Sequence, residues 1–202
     1  MGALSTEELG LIGSWVIFYA LHSLLASTKV KRILQGKWGM TDKNYRLGYS
    51  ILATLSFLVI LFQILTLPNR SLIPSGGWVE KAGYFLATLG VITCMRALKG
   101  VAWKEFLGFK AEEKLPELRQ DGFYARTRHP LYLGIWLIFL GYVGVSGSLG
   151  AVIHWVCLSS YLPFGIYWEE KKLVQVFGDT YRTYQQAVPI FFPNPLKKGP
   201  KP

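Results

Sequence analysis

Long apolar runs alternate with short polar, basic stretches along this chain, and five of the runs have the length of membrane helices. They cover Leu9–Ser27, Leu47–Leu67, Ala82–Leu98, Leu131–Val145 and Leu149–Trp168. A helix needs roughly 20 mostly apolar residues to cross the hydrocarbon core of a bilayer. The fourth run is short and begins against a polar cluster. Pro163 is tolerable inside the fifth when neighbouring groups satisfy the freed carbonyl. That fifth helix is expected to continue to Phe177-Gly178, since glycine is favoured just past a last helical turn. From Leu149 to Phe177 it would run about 43 Å at 1.5 Å per residue. It therefore outruns the bilayer and carries Glu169 and Glu170 into an extension beyond it.

Composition agrees with this class. The 202 residues are 51% hydrophobic, yet the net charge is +10. Nucleic-acid binding would need the basic residues gathered on one soluble face; here they sit between the apolar runs. Six lie between residues 28 and 46 (Lys29, Lys31, Arg32, Lys37, Lys43, Arg46) and eight between 96 and 130. Six more follow the fifth run, from Lys171 to Lys201, whereas the opposite side carries only Arg70 and Lys81. This asymmetry predicts an N-terminus outside and a C-terminus in the cytoplasm. Acidic Glu7-Glu8 before the first run and basic Lys29 to Arg32 after it reverse the pattern of a cleaved signal, so the run reads as an anchor. Cys94 and Cys157 lie inside apolar runs without CxxC spacing and read as packing residues.

Two polar clusters stand at the predicted cytoplasmic ends of the fourth and fifth helices. The first is Gly122-Phe-Tyr124-Ala-Arg-Thr-Arg128-His129-Pro130-Leu131-Tyr132-Leu-Gly134. Pro130 suits the first helical position, where its missing N–H would be unpaired anyway, and this puts His129 at the cap. The second cluster is Glu169-Glu170, two acids where the positive-inside preference offers them nothing. Taken singly, these features also read as helix-start chemistry, as an interfacial tyrosine at Tyr132, and as a solvated face pairing with Lys171 and Lys172. Ionisable residues at membrane depth, however, are costly and usually functional.

In order and spacing, G-x-Y-x-x-x-R-H-P-x-Y-x-G followed by E-E-x-x-L-x-x-x-F-G-x-x-Y-x-x-Y-x-x-x-V resembles the isoprenylcysteine carboxyl methyltransferase superfamily. The resemblance covers residues from about 116 to 193. His22-Ser-Leu-Leu-Ala-Ser27, a basic loop, and Tyr45-Arg46-x-x-Tyr49 resemble the branch of methanethiol S-methyltransferases and NnrU-type relatives. The resemblance implies an all-α integral membrane protein of about five transmembrane helices with a C-terminal cytoplasmic cofactor-binding region. It divides the chain into a three-helix membrane part (1–98), a methyltransferase core (99–193) and a loose Pro- and Lys-rich tail (194–202). It implies S-adenosylmethionine as cofactor and a small-molecule or lipid-like methyl acceptor.

Carried over from the superfamily, the cofactor contacts fall on Pro116, Glu117, Leu118 and Arg119, on Tyr124, on His129, Pro130, Leu131 and Tyr132, and on Glu169, with Arg128 and Glu170 beside them. The 116–119 strip departs from the relatives' His-x-Leu-Val and keeps only Leu118. Prenylcysteine enzymes carry a substrate Arg four residues before the first Glu, and this chain has Gly165 there.

Chemically, the tyrosines suit a sulfonium by cation–π contact, and Arg119, Arg128 and His129 suit a carboxylate. A thiol acceptor reacts as thiolate, for which His22 near the cytoplasmic end of the first helix is a candidate base, with Glu169 the other candidate catalytic group. The alternative for His22 is a hydrogen bond to a neighbouring helix. Two other classes compete. A sterol-reductase-type oxidoreductase shares an R-H-P-x-Y-like segment, but its Asp-Glu-x-x-Cys is Glu-Glu-x-x-Leu here. A non-catalytic membrane protein on the same scaffold is the other. No glycine-rich phosphate loop and no metal-ligand spacing is present.

Overall fold

In the computed structural model the described residues are 3–67, 70–74, 76–99, 101, 103–107, 109 and 117–192. The expected tail at 194–202 lies outside them. Their regular structure is helical: α1 (Thr6–Ala26), α2 (Thr28–Trp38), α3 (Asp42–Thr66), α4 (Gly77–Ala97), α5 (Trp103–Phe106), α6 (Pro130–Ser146), α7 (Leu149–Phe177) and α8 (Asp179–Ala187). A single turn of 3-10 helix at Gly122–Ala125 precedes α6. All five expected segments are helices. Among the described residues, α1, α3 and α7 are long and apolar enough to cross a membrane, and α6 is a shorter apolar helix of 17 residues. Charges in α4 sit at its ends, Glu80 in the first turn and Arg96 in the last.

The helices form two compact units. One contains α1, α2, α3 and α5; the other contains α4, the 3-10 turn, α6, α7 and α8. In the first unit α1 begins with a reciprocal cap, in which Ser5 accepts from the Glu8 amide and Glu8 accepts from the Ser5 amide. Such a box satisfies two donors that a helix start leaves orphaned. α1 packs on α3 through rings, Trp15 and Phe18 standing 6.2 and 5.8 Å from Phe57. Only 6% of the apolar window of α3 is buried, and Leu55, Leu58, Phe62 and Leu65 are exposed. An apolar surface that large is not the surface of a water-soluble monomer; it suits lipid.

The second unit is built on an antiparallel pair whose axes approach through glycine. Gly83 and Gly90 of α4 face Gly141 and Gly134 of α6, and a Cβ on any of the four would stand 2.5–2.7 Å from an atom of the other helix. Van der Waals packing through small residues drives helix association where the solvent is itself apolar. At the far end of this pair Gly147 adopts a left-handed φ of 60° and caps α6. Its carbonyl accepts from the Leu72 and Ile73 amides at 2.8 and 3.0 Å, and Leu149 N–H donates to Arg70 O. The 70–73 segment is thereby fixed to the α6–α7 turn. α7 spans Leu149 to Phe177 without interruption despite Pro163, as expected from the Phe177-Gly178 stop, and Gly178 ends it with φ 57°.

Candidate functional site

The site occupies one end of the second unit, where α6 begins and α7 passes from its apolar stretch into the polar 169–172 segment. Pro130 opens α6, with His129 at the cap in a non-helical conformation. Glu170 sits two turns before the end of α7, and α8 folds back against that end. Tyr181, Tyr184 and Val188 form a buried cluster there with Leu118, Leu173, Val174 and Phe177. This cluster is why the apolar positions after Glu170 fall where they do: they dock α8 under the extension.

Glu170 is the hub. Its carboxylate accepts from Arg128 Nε at 2.7 Å, from Gln185 Nε2 at 2.9 Å and from the Tyr181 hydroxyl at 3.3 Å, and lies 3.2 Å from His129 Nε2. Arg128 also donates to the carbonyls of Gln185 and Val188, at 2.8 and 2.7 Å. Its side chain is 9% exposed and that of Glu170 14%, so a charge-assisted bond between them is strong. The backbone joins in: Arg128 N–H donates to Pro189 O, and Tyr184 OH donates to Tyr124 O. Three elements distant in sequence are thus tied to one carboxylate.

Glu169 is placed differently. Its side chain is 44% exposed, with Oε2 3.8 Å from His129 Nδ1. The His129 ring stacks on Tyr132, centroids 5.5 Å apart and planes 8° from parallel. Nearby, Arg119 donates to the Ala97 carbonyl at the C-terminus of α4, pairs with Asp121 at 3.0 Å, and stands 5.1 Å over the Tyr124 ring. A cation at a helix C-terminus meets the negative end of the helix dipole. Burial pushes the Tyr124 phenol up, with Arg119 opposing and Glu169 adding. Burial likewise pushes Tyr181 and Tyr184 well above the usual phenol value. Both therefore stay protonated and act as donors in the bonds described.

The expected residues Arg128, His129, Pro130, Tyr132, Glu169 and Glu170 are brought together. Leu131 packs at the start of α6, where its carbonyl accepts from the Cys94 thiol. Tyr124 and Arg119 form a flanking pair, Leu118 belongs to the tyrosine cluster, and Glu117 is exposed. Pro116 lies outside the described residues. His22 belongs to the other unit, where its ring is 3.0 Å from the Tyr49 hydroxyl. Tyr181 and Gln185 were missed as Glu170 partners; their i+11 and i+15 spacing crosses the Gly178 turn and has no signal in sequence period. Among the described residues no group of three or more His, Cys, Asp or Glu could hold a metal.

A helical membrane protein with a titratable cluster at one end of its apolar helices is the class this fold and site define. The NnrU protein family matches residues 10–191, and the chain belongs to that family. It is 27% identical over 190 residues to a methanethiol S-methyltransferase of a Pseudomonas species, covering 88% of this chain and 70% of the relative. It is 34% identical over 98 residues to a methanethiol S-methyltransferase of Crocosphaera subtropica, covering 46% and 36%. It is 35% identical over 74 residues to the protein-S-isoprenylcysteine O-methyltransferase of Schizosaccharomyces pombe, covering 36% and 31%. In the latter two the alignment spans about a third of the relative's length. These relatives are methyltransferases of the superfamily and branch that the motif order resembles. No solved structure matches the chain.

Proposed function

We infer that this protein is an integral membrane methyltransferase that uses S-adenosylmethionine and methylates a small or lipophilic thiol on sulfur. The observation that carries the reading is the different state of the paired acids. Glu170 is consumed by four protein partners, whereas Glu169 keeps a half-exposed carboxylate beside the stacked His129 and Tyr132 rings. The donor set fits the cofactor: Glu169 suits its amino or hydroxyl groups, the faces of Tyr124 and Tyr132 its sulfonium, and Arg119 its carboxylate. Cation–π contact with such rings contributes roughly 0.5–2 kcal/mol. Arg128, whose guanidinium is already engaged, holds the pocket together.

When bound, S-adenosylmethionine would supply an electrophilic methyl group to the acceptor sulfur and be left as a neutral thioether, the thiol proton passing to solvent. The chain's residues have to align the partners and exclude water. Thiol rather than prenylcysteine is favoured by Gly165, which offers no cation where prenylcysteine enzymes carry an Arg. A Cβ there would already stand 3.0 Å from the Tyr161 ring. Labelled S-adenosylmethionine supplied with methanethiol or a longer alkyl thiol should yield a labelled thioether. Base-labile label on a farnesylcysteine analogue, with no thioether, would reverse the assignment.

Glu169→Gln should weaken S-adenosylmethionine binding by about 1.5–3 kcal/mol, the worth of a hydrogen bond to a charged group. Isothermal titration of detergent-solubilised protein measures it; unchanged affinity in Glu169→Gln, Tyr132→Ala and His129→Ala alike would leave the cluster a packing device. The basic loops further support an external N-terminus and a cytoplasmic C-terminus. A tag placed after Pro202 should then resist protease added to intact cells, and its digestion would invert the topology.

A further inference from the structure

A cavity of about 490 Å³ opens beside the Glu170 hub. Ser159, Leu162, Pro163, Ile166, Tyr167 and Glu170 supply its α7 wall. Their spacing follows one helical face, so the wall runs about 16 Å along the axis, at 1.5 Å per residue. Trp136 of α6 and Ile190, Phe191 and Phe192 close the other side. Trp136 is held in place, donating from Nε1 to Ser159 Oγ at 3.0 Å and packing edge-on to Phe191 and Phe192. Among the described residues of this lining, Glu170 at one end is the only ionisable acid or base apart from the Tyr167 phenol.

We propose that this cavity binds the apolar tail of the methyl acceptor, and that the acceptor is a long-chain or ring-bearing lipophilic thiol much larger than methanethiol. The proposal rests on the methyltransferase reading and specifies its substrate. Shape, lining and position support it together. Cofactor and cavity occupants differ in chemistry: a charged amino acid and ribose need polar partners, which an apolar groove does not provide. A one-carbon thiol would leave most of this volume unfilled and gain little from it. A long tail gains with every methylene, and ligand sites are lined in this way, apolar with a few placed polar groups. The end at Glu170 abuts His129 through the bond already described, so a tail seated here directs its head toward the candidate transfer site.

The experiment is a chain-length series of alkyl thiols, from methanethiol to dodecanethiol, with labelled S-adenosylmethionine and protein in phosphatidylcholine nanodiscs. KM should fall about fourfold per methylene, the equivalent of about 0.8 kcal/mol per buried CH2, and level off as the cavity fills. Leu162→Trp and Ile166→Trp should raise KM for dodecanethiol at least tenfold and leave S-adenosylmethionine affinity unchanged. Loss of cofactor affinity in both would make the cavity the cofactor's and overturn the proposal. Equal KM across the series would also overturn it, while leaving the methyltransferase reading intact. If no thiol in the series is methylated, reading and proposal fall together. A readout without turnover uses Ser159→Cys, whose maleimide labelling is located by mass spectrometry. Dodecyl methyl sulfide should protect that cysteine and dimethyl sulfide should not; equal labelling with both would count against occupancy of the cavity.

Discussion

Replacing Glu170 with alanine should destabilise the protein by about 3–5 kcal/mol, the cost of breaking a buried ion pair by removing one partner. The penalty arises because Arg128, 9% exposed, would keep its charge and lose its only carboxylate among the described contacts. Tyr181 and Gln185 would lose their acceptor in the same step. Arg128 lies just before α6, Glu170 on α7, and Tyr181 and Gln185 on α8, so the loss should loosen that whole end as a unit. Thermal unfolding in detergent measures it, and a melting point unchanged from wild type would refute the hub. Replacing both members, Arg128→Met with Glu170→Leu, should cost less than Glu170→Ala, since no charge is then stranded. Glu169→Gln should leave stability near wild type. Its half-exposed carboxylate strands no charge, because buried His129, 3.8 Å from it, keeps Glu170 at 3.2 Å, so the two neighbouring acids separate stability from binding.

The second large effect is expected at the α4–α6 seam. Gly90→Ala and Gly141→Ala should each destabilise by more than the 1–3 kcal/mol of ordinary overpacking. A Cβ at Gly90 would stand 2.6 Å from the Gly134 carbonyl oxygen, and one at Gly141 would stand 2.6 Å from Ala87 N. Backbone atoms cannot swing aside as a side-chain tip can, so the helices must separate along their length. Gly10→Ala and Gly48→Ala provide the control. Nothing lies within 4 Å of a Cβ at either, and alanine in a helix interior is better than glycine by roughly 0.5–1 kcal/mol. These two should be neutral or stabilising. Should all four substitutions behave alike in detergent unfolding, the seam does not hold the pair. Because Arg119 is anchored on the Ala97 carbonyl at the end of α4, the seam variants should also weaken cofactor binding.

Much of this architecture is legible along the chain, for reasons local to it. Apolar runs of membrane length determine α1, α3 and α7, because lipid leaves the backbone no partner but its own helix. Pro130 and Gly178 set the start of α6 and the end of α7 through φ restrictions that act within one or two residues. The order of R-H-P-x-Y and E-E marks the acids and rings to expect at the site. Tertiary structure alone decides which acid is structural and which is open. Glu169 and Glu170 are adjacent and chemically alike, and 100° of helical rotation turns one into the Arg128 hub and the other toward solvent. Sequence also shows glycines seven apart in α4 and α6 without revealing that they face one another, since that depends on the approach of two helices. Nor does the chain disclose the cavity beside Trp136, because an empty volume is a property of how α6, α7 and the 190–192 segment fail to fill the space between them.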